Sequence, residues 1–407
     1  MNVVKLAFRN LFRQKFRSTI AFGSIAFGVI SLLLAGGFIE WIFSAMRRDT
    51  IYSLLGHIQV ARQGYYDDGK SDPFAYLLPE KTDHIARINN VPGVRLVTNR
   101  LSFGGIINRQ DASVSFLAEG VEPEKETELS RHLTISSGVN LTSKEPNGMI
   151  IGEGLAKNLG AHPGDEVALL VNTPSGGINA IECRVVGLFY TLSKAYDEVA
   201  LRLPIDIGRK LLRVSGSHTW IVLLNDTDRS GAVLKELEGS LSSRNHGLQL
   251  KAWYELADFY NKTVKLYSQQ MNVVKFIIAL IVFLSISNTM TMNILERTGE
   301  IGTLMAMGTK RRDIVKLFLS EGVLLGVVGG TVGVLMGAAL AAIISWVGIP
   351  MPPAPGMSRG FRAGIIVPSP LILQAFLLAV SATLLASLYP ALRASRLEIV
   401  DALRHNR

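Results

Sequence analysis

One cysteine, Cys183, stands among the 407 residues. No intrachain disulfide can form, no CxxC or Cys/His pair has zinc spacing, and Cys183 is expected to be a small buried hydrophobe. The seven histidines are scattered, with no HExxH or comparable pairing, so no metal site is expected. No Ser/His/Asp, Cys/His or paired-carboxylate arrangement stands out either, which argues against an enzyme. Charged residues make up only 18% of the chain and hydrophobic ones 48%. That balance is too apolar for an ordinary soluble protein and points to a membrane protein with a sizeable polar part. Glycine and proline are both missing between Leu248 and Thr298, a gap that nothing else in the chain's middle matches.

One stretch looks catalytic. Gly64–Ser71, GYYDDGKS, satisfies the phosphate-loop pattern G-x-x-x-x-G-K-[ST]. A working phosphate loop joins a strand to a helix whose amides cradle phosphate. Here Pro73 and Pro79 leave no room for that helix, Asp67 and Asp68 would repel the phosphates, and no convincing acidic strand follows. The octapeptide is expected to be a polar surface loop.

Four apolar runs are long enough to cross a hydrocarbon core of roughly 30 Å. The first, in residues 18–47, follows a basic leader (Lys5, Arg9, Arg13, Lys15, Arg17) and is too long for a signal peptide. The others lie in residues 271–294, 317–347 and 371–390. The expected fold is a membrane protein with four transmembrane α-helices in a 1 + 3 arrangement and a large α+β domain inserted between helices 1 and 2. Segments 1–17, 295–316 and 391–407 carry fourteen Lys and Arg against five acids, an excess equal to the whole net charge of +9. Cationic flanks stay on the cytoplasmic side, so residues 48–270 and the proline-rich loop 348–370 are placed outside, and a nucleic-acid partner is not expected.

Strand-like runs (VSFLAEGV, EVALLV, ECRVVGLFY, TWIVLLN) alternate with turn clusters in the insertion, whose two ends and middle are expected to build two lobes. The gap without glycine or proline predicts that the second membrane helix extends outward as a stalk. Glycines 322, 326, 329, 330, 333 and 337 form overlapping G-x-x-x-G pairs on the third helix. Such small residues permit close helix packing, within the bundle or at a dimer interface. Glu40 and Glu321 fall at or near membrane depth, where an ionisable group either carries a function or sits at a helix end within reach of water. The loop GIPMPPAPGMSRGF either touches the outer domain or is a plain connector.

Between helices two and three the chain reads Glu296-Arg297-x-x-Glu300-Ile301-Gly302-x-Leu304-x-Ala306-Met307-Gly308, followed by Lys310, Arg311 and Arg312. This resembles the signature of FtsX-like ABC transporter permeases, the lipoprotein-releasing and MacB-type superfamily (type VII ABC transporters). The tail around Pro390, Ala391, Arg393, Ala394, Arg396, Ala402, Leu403 and Arg404 resembles the same family's ending, and GHIQV (Gly56–Val60) is similar to lipoprotein-releasing members. Met305 departs from the pattern, where relatives often carry Arg or Lys. A short amphipathic helix is expected here, with Glu296, Arg297 and Glu300 on one side and Ile301, Leu304 and Met305 on the other.

The resemblance implies a permease subunit that does not itself hydrolyse ATP. Glu296, Arg297, Glu300, Ile301, Gly302, Leu304, Met307 and Gly308 would couple it to two copies of a separate ATPase that bind ATP and Mg; no cofactor belongs to this chain. A second permease chain, identical or homologous, would complete the complex. Transmitted motion would then release lipoproteins or other envelope cargo, with a periplasmic carrier or adaptor, from the inner membrane of a bacterium. An FtsX-like signalling scaffold that activates a partner such as a cell-wall hydrolase is the alternative.

Overall fold

The structure is a computed structural model that describes residues 15–397 except 70, 81, 131–132, 192, 243–246 and 354–358. Most of the basic leader and the end of the tail therefore lie outside the described residues, as do Lys70 of the octapeptide and part of the proline-rich loop. The chain divides into two compact units, Met1–Phe43 with Thr263–Pro350 and Arg362–Arg407, and Ser44–Lys262 with Met351–Phe361.

The first unit is helical. Helix α1 (Lys15–Asp49) supplies its first apolar run. The second unit carries α2 (Asp83–Asn89), α3 (Pro123–Leu129), α4 (Glu153–Leu159), α5 (Ile205–Leu212) and α6 (Ser230–Ser242). Then come α7 (Asp258–Glu296), the short α8 (Thr298–Ala306), α9 (Arg311–Val347) and α10 (Ser369–Ser395). Among the described residues, helices α1, α7, α9 and α10 are the four long and apolar enough to span a membrane. At 1.5 Å per residue the 39-residue α7 measures about 58 Å, nearly twice the hydrocarbon thickness. The glycine- and proline-free stretch is not helical from its start, because Leu248–Ala252 is a strand.

The glycines of α9 work on two faces. A Cβ on Gly322 or Gly326 would overlap Ser387 or Thr383 of α10, and one on Gly330 would press on Phe376 at 3.1 Å. Gly333 and Gly337 instead face α1, where a Cβ would come within 2.7 Å of Val29 and 2.9 Å of Leu33; Gly329 meets Ile25 at 3.0 Å. The stripe packs α9 against two neighbours of its own bundle, the close approach that small residues allow where no hydrophobic drive separates helix from lipid.

The second unit is built on one ten-stranded sheet. Its strands are β1 (Ile58–Arg62), β2 (Val94–Arg109), β3 (Ala112–Val121), β4 (Thr134–Gly138), β5 (Gly148–Gly152), β6 (Glu166–Asn172), β7 (Ile178–Tyr190), β8 (Ala200–Pro204), β9 (Thr219–Leu224) and β10 (Leu248–Ala252). Their order is β10-β1-β9-β2-β3-β8-β5-β7-β4, and β6 pairs with both β2 and β7. Six strands, β2-β3-β8-β5-β7-β6, therefore close on themselves around a core that includes Leu101, Phe116, Leu169 and Val185. The first half of β2 continues into β9, β1 and β10, which bury Val60, Trp220 and Val222 against α2 and α6. One lobe thus comes from both ends of the insertion and one from its middle. Cys183 is buried in the closed core. Strand β1 leads through turns into the four-residue 3-10 helix Pro73–Tyr76, so GYYDDGKS lacks the long helix a phosphate loop needs.

Candidate coupling site

Helix α7 ends at Glu296, and a break at Arg297 turns the chain into α8. The Thr298 hydroxyl stitches the break by donating to the carbonyls of Ile294 (3.1 Å) and Leu295 (2.8 Å). At the far end Gly308 takes φ +92°, its N–H donates to Met305 O at 3.0 Å, and Thr309 N–H returns to Leu304 O at 3.1 Å. These two bonds form the paired cap that closes a helix on a left-handed residue, and they explain the glycine. Lys310 then opens α9.

One edge of α8 is set inward. Ile301 joins Ile294, Ile314, Phe318, Ala391 and Ala394 in a buried cluster, with Leu304 and Met305 packed on its border. Gly302 is also buried. Glu296, Glu300, Thr303 and Met307 are exposed, Met307 by 71%. Glu300, Thr303 and Met307 lie along one face of α8 by their spacing, and Glu296 stands just before it at the end of α7.

Arg297 does not share that face as the sequence pattern suggested. It is half-buried, donates to Glu321 Oε1 at 3.0 Å and to Glu300 Oε2 at 3.3 Å, and lies 5.8 Å from the Phe318 ring centre. Glu321 itself is only 2% exposed, so of its two readings the one that sets it within reach of water does not hold. A carboxylate this deep needs a compensating charge, and Arg297 brings it from the linker. Sequence reasoning singled out both residues and did not join them, because 24 positions of an intervening helix-turn-helix separate them.

A second ionic arrangement was not anticipated at all. Beyond α1, residues Thr50–Leu55 form a π-helical turn in which Gly56 N–H reaches Ile51 O at 2.8 Å. Two buried arginines take its carbonyls. Arg100 of β2 donates to Leu54 O, and Arg202 of β8 to Ser53 O at 2.5 Å. Both guanidiniums meet Glu126 of α3, at 2.9 and 3.0 Å, and Arg202 also donates to Ser130 Oγ at 2.7 Å. Glu119 stands 3.0 Å from Arg202. Burial on its own would raise the Glu126 carboxyl, but Arg100 and Arg202 outweigh it and hold that carboxyl below the usual range. The only sequence signal was an arginine amid aliphatic residues in a strand, as in ALRLP.

Residues 272–399 match the FtsX-like permease C-terminal family, and residues 18–240 match the MacB-like periplasmic core domain. The second match alone covers more than half of the chain. The chain belongs to the FtsX-like, MacB-type family of ABC transporter permeases. It is a multi-pass membrane protein with a large periplasmic or extracellular domain. A permease of Methanocaldococcus jannaschii is 26% identical over 356 residues, covering 84% of each chain. The macrolide export ATP-binding/permease protein MacB of Wolinella succinogenes is 25% identical over 86% of this chain, and that of Brucella abortus 26% identical over 97%. The chain spans only 54% and 59% of the length of these two MacB relatives. The periplasmic region of MacB from Actinobacillus actinomycetemcomitans aligns with 54% of this chain at a TM-score of 0.37 and 14% identity.

Proposed function

We propose that this permease is the membrane subunit of a bacterial cytoplasmic-membrane ABC transporter whose ATPase is a separate polypeptide, docked in two copies on the exposed face of α8. The observation that carries this reading is that face itself. Glu300, Thr303 and Met307 are exposed on a helix whose other side is sealed by Ile301 and by the Arg297–Glu321 pair, and Glu296 is exposed beside them at the end of α7. In this reading Glu296, Arg297, Glu300, Ile301, Gly302, Leu304, Met307 and Gly308 act together. The exposed members meet the ATPase, the buried ones seat α8, and Gly308 sets its exit.

ATP and Mg would bind the ATPase, and its closure would pull on α8. Continuous α7 would carry that motion outward, and the Arg100–Arg202 grip on the turn after α1 would receive the matching motion of the first helix. A second permease chain, identical or homologous, would complete the complex. The work would be done on a lipoprotein or another envelope cargo rather than on a solute passing through a channel.

The test is to co-express the chain with the ATPase encoded beside it and purify the complex. Co-purification and ATP hydrolysis are expected, and Glu300→Arg or Met307→Asp should abolish both while the permease remains folded. ATP hydrolysis by the purified chain alone would overturn the reading. Trapping the complex before hydrolysis should retain a lipoprotein or lipid; recovery of a cell-wall hydrolase instead would favour a signalling scaffold.

A further inference from the structure

A cavity of about 350 Å³ lies among α1, α7 and α10 within the membrane unit. That volume is at the small end of the range for ligand sites. Its polar lining includes Glu40, Ser268, Asn272, Lys275 and Gln374, while Phe43, Met271 and Leu371 give it an apolar wall.

Its depth follows from the helices. Glu40 is about 30 Å along α1 from Ile20, where the apolar run starts, a rise equal to the full hydrocarbon thickness. Lys275 sits where the apolar run of α7 begins, and Gln374 lies in the second turn of α10. All three are at the helix ends opposite segments 1–17, 295–316 and 391–407, whose net positive charge marks the cytoplasmic side, so the cavity opens at the outer headgroup boundary.

The charges in it are arranged unusually. Lys275 Nζ donates to Gln374 Oε1 at 3.0 Å. Among the described residues the Glu40 carboxylate has neither an ion-pair nor a hydrogen-bond partner. An ammonium and a carboxylate thus line one cavity without meeting each other. In the low dielectric of a membrane boundary, opposite charges that share a space and do not pair leave a gap that a zwitterion bridges favourably.

We propose that this cavity binds the headgroup of one outer-leaflet phospholipid of the phosphatidylethanolamine class. Its primary ammonium is held by Glu40 and its phosphate by Lys275, with the acyl chains leaving along the apolar wall. A primary ammonium offers three N–H donors to a carboxylate, as a lysine does; a choline headgroup offers none, and Phe43 alone is no aromatic cage for it. A purely anionic headgroup would face the Glu40 carboxylate. The inference rests on the membrane span and its orientation and is independent of the transport reading.

Native mass spectrometry of the full chain, released from nanodiscs holding equal amounts of phosphatidylethanolamine, phosphatidylglycerol and phosphatidylcholine, tests it. One retained phosphatidylethanolamine per chain is expected, enriched about tenfold over the other two. Glu40→Gln should remove the preference for phosphatidylethanolamine over phosphatidylglycerol, and Lys275→Met should lose retention of both. A second measurement needs no variant: phosphatidylethanolamine with a photoreactive group beside the glycerol should label peptides covering 36–43, 268–275 and 368–374. Preference for phosphatidylglycerol or phosphatidylcholine, no lipid above the annular background, unchanged retention in both variants, or even labelling along the helices would each overturn the proposal.

Discussion

Replacing Arg297 with methionine tests how the linker is seated. Methionine keeps an apolar stem against Phe318 and removes the charge. Two contacts are lost. The bridge to Glu300, whose side chain is 43% exposed, is worth about 0–1 kcal/mol. The contact with Glu321 is different, because that carboxylate is 2% exposed, and taking the guanidinium from so buried a charge costs about 3–5 kcal/mol. The variant should therefore lose about 3–5 kcal/mol of unfolding free energy in denaturant titrations of the purified chain in mixed micelles, read by tryptophan fluorescence. The discriminating step is the double variant. Glu321→Gln removes the buried charge while keeping side-chain size, so Arg297→Met/Glu321→Gln should be at least about 2 kcal/mol more stable than Arg297→Met alone. If the two substitutions simply add, Glu321 is not held by Arg297 in the way its burial implies.

Two further tests follow from other parts of the molecule. Burial lowers both His57 and His218 to about 4, with Asp226 opposing weakly at His57. Each ring nitrogen accepts a backbone N–H, from Leu224 at 3.2 Å and from Ser102 at 3.1 Å. Below an ordinary value of about 6.5 the unfolded chain takes up protons that the folded chain refuses. The outer unit should therefore lose stability as pH falls from 6.5 towards 4, by about 2 kcal/mol per histidine at pH 5. Melting curves against pH should show this slope, and His218→Gln should reduce it by about half, leaving the His57 share; a flat wild-type profile would refute the buried, neutral assignment. In the bundle, Gly333→Ala meets Val29 at 2.7 Å and the Ala26 backbone at 3.0 Å and should lower stability by about 1–3 kcal/mol. Gly239→Ala, in a helix with nothing within 4 Å, should instead stabilise by about 0.5–1 kcal/mol. Equal effects of the two, followed by thermal unfolding in detergent, would remove close packing as the reason for the stripe.

What the sequence made legible was whatever is encoded locally. Apolar runs, cation placement and the Gly308 stop each depend on a few adjacent residues, and each has a direct physical reading. The inward turn of Ile301 was legible for the same reason, since helical spacing alone puts it opposite Glu300. What escaped was set by pairing across distance. Closure of the six strands needs β6 to bond both β2 and β7, and no local pattern states that second partner. The glycine stripe was visible, but its division between α1 and α10 depends on which side of α9 each neighbour takes. Arg100, Arg202 and Glu126 come from two strands and a helix, so their meeting is invisible until the sheet is assembled.

The two ionic sites share a physical logic. Apolar contacts are non-directional and tolerate sliding by a residue or a fraction of a turn. A guanidinium bonded to particular carbonyls and to a particular carboxylate does not, because a slip strands buried charge. At Arg297 the fixed point lies between the linker and the base of α9. At Arg100 and Arg202 it lies at the carbonyl end of the turn following α1, where the helix dipole adds partial negative charge to the acceptors. Between such points the long helices are seated by aliphatic side chains and glycines, surfaces that permit tilt and rotation. Directional bonds fix register at the ends, and smooth packing lines the shafts between them.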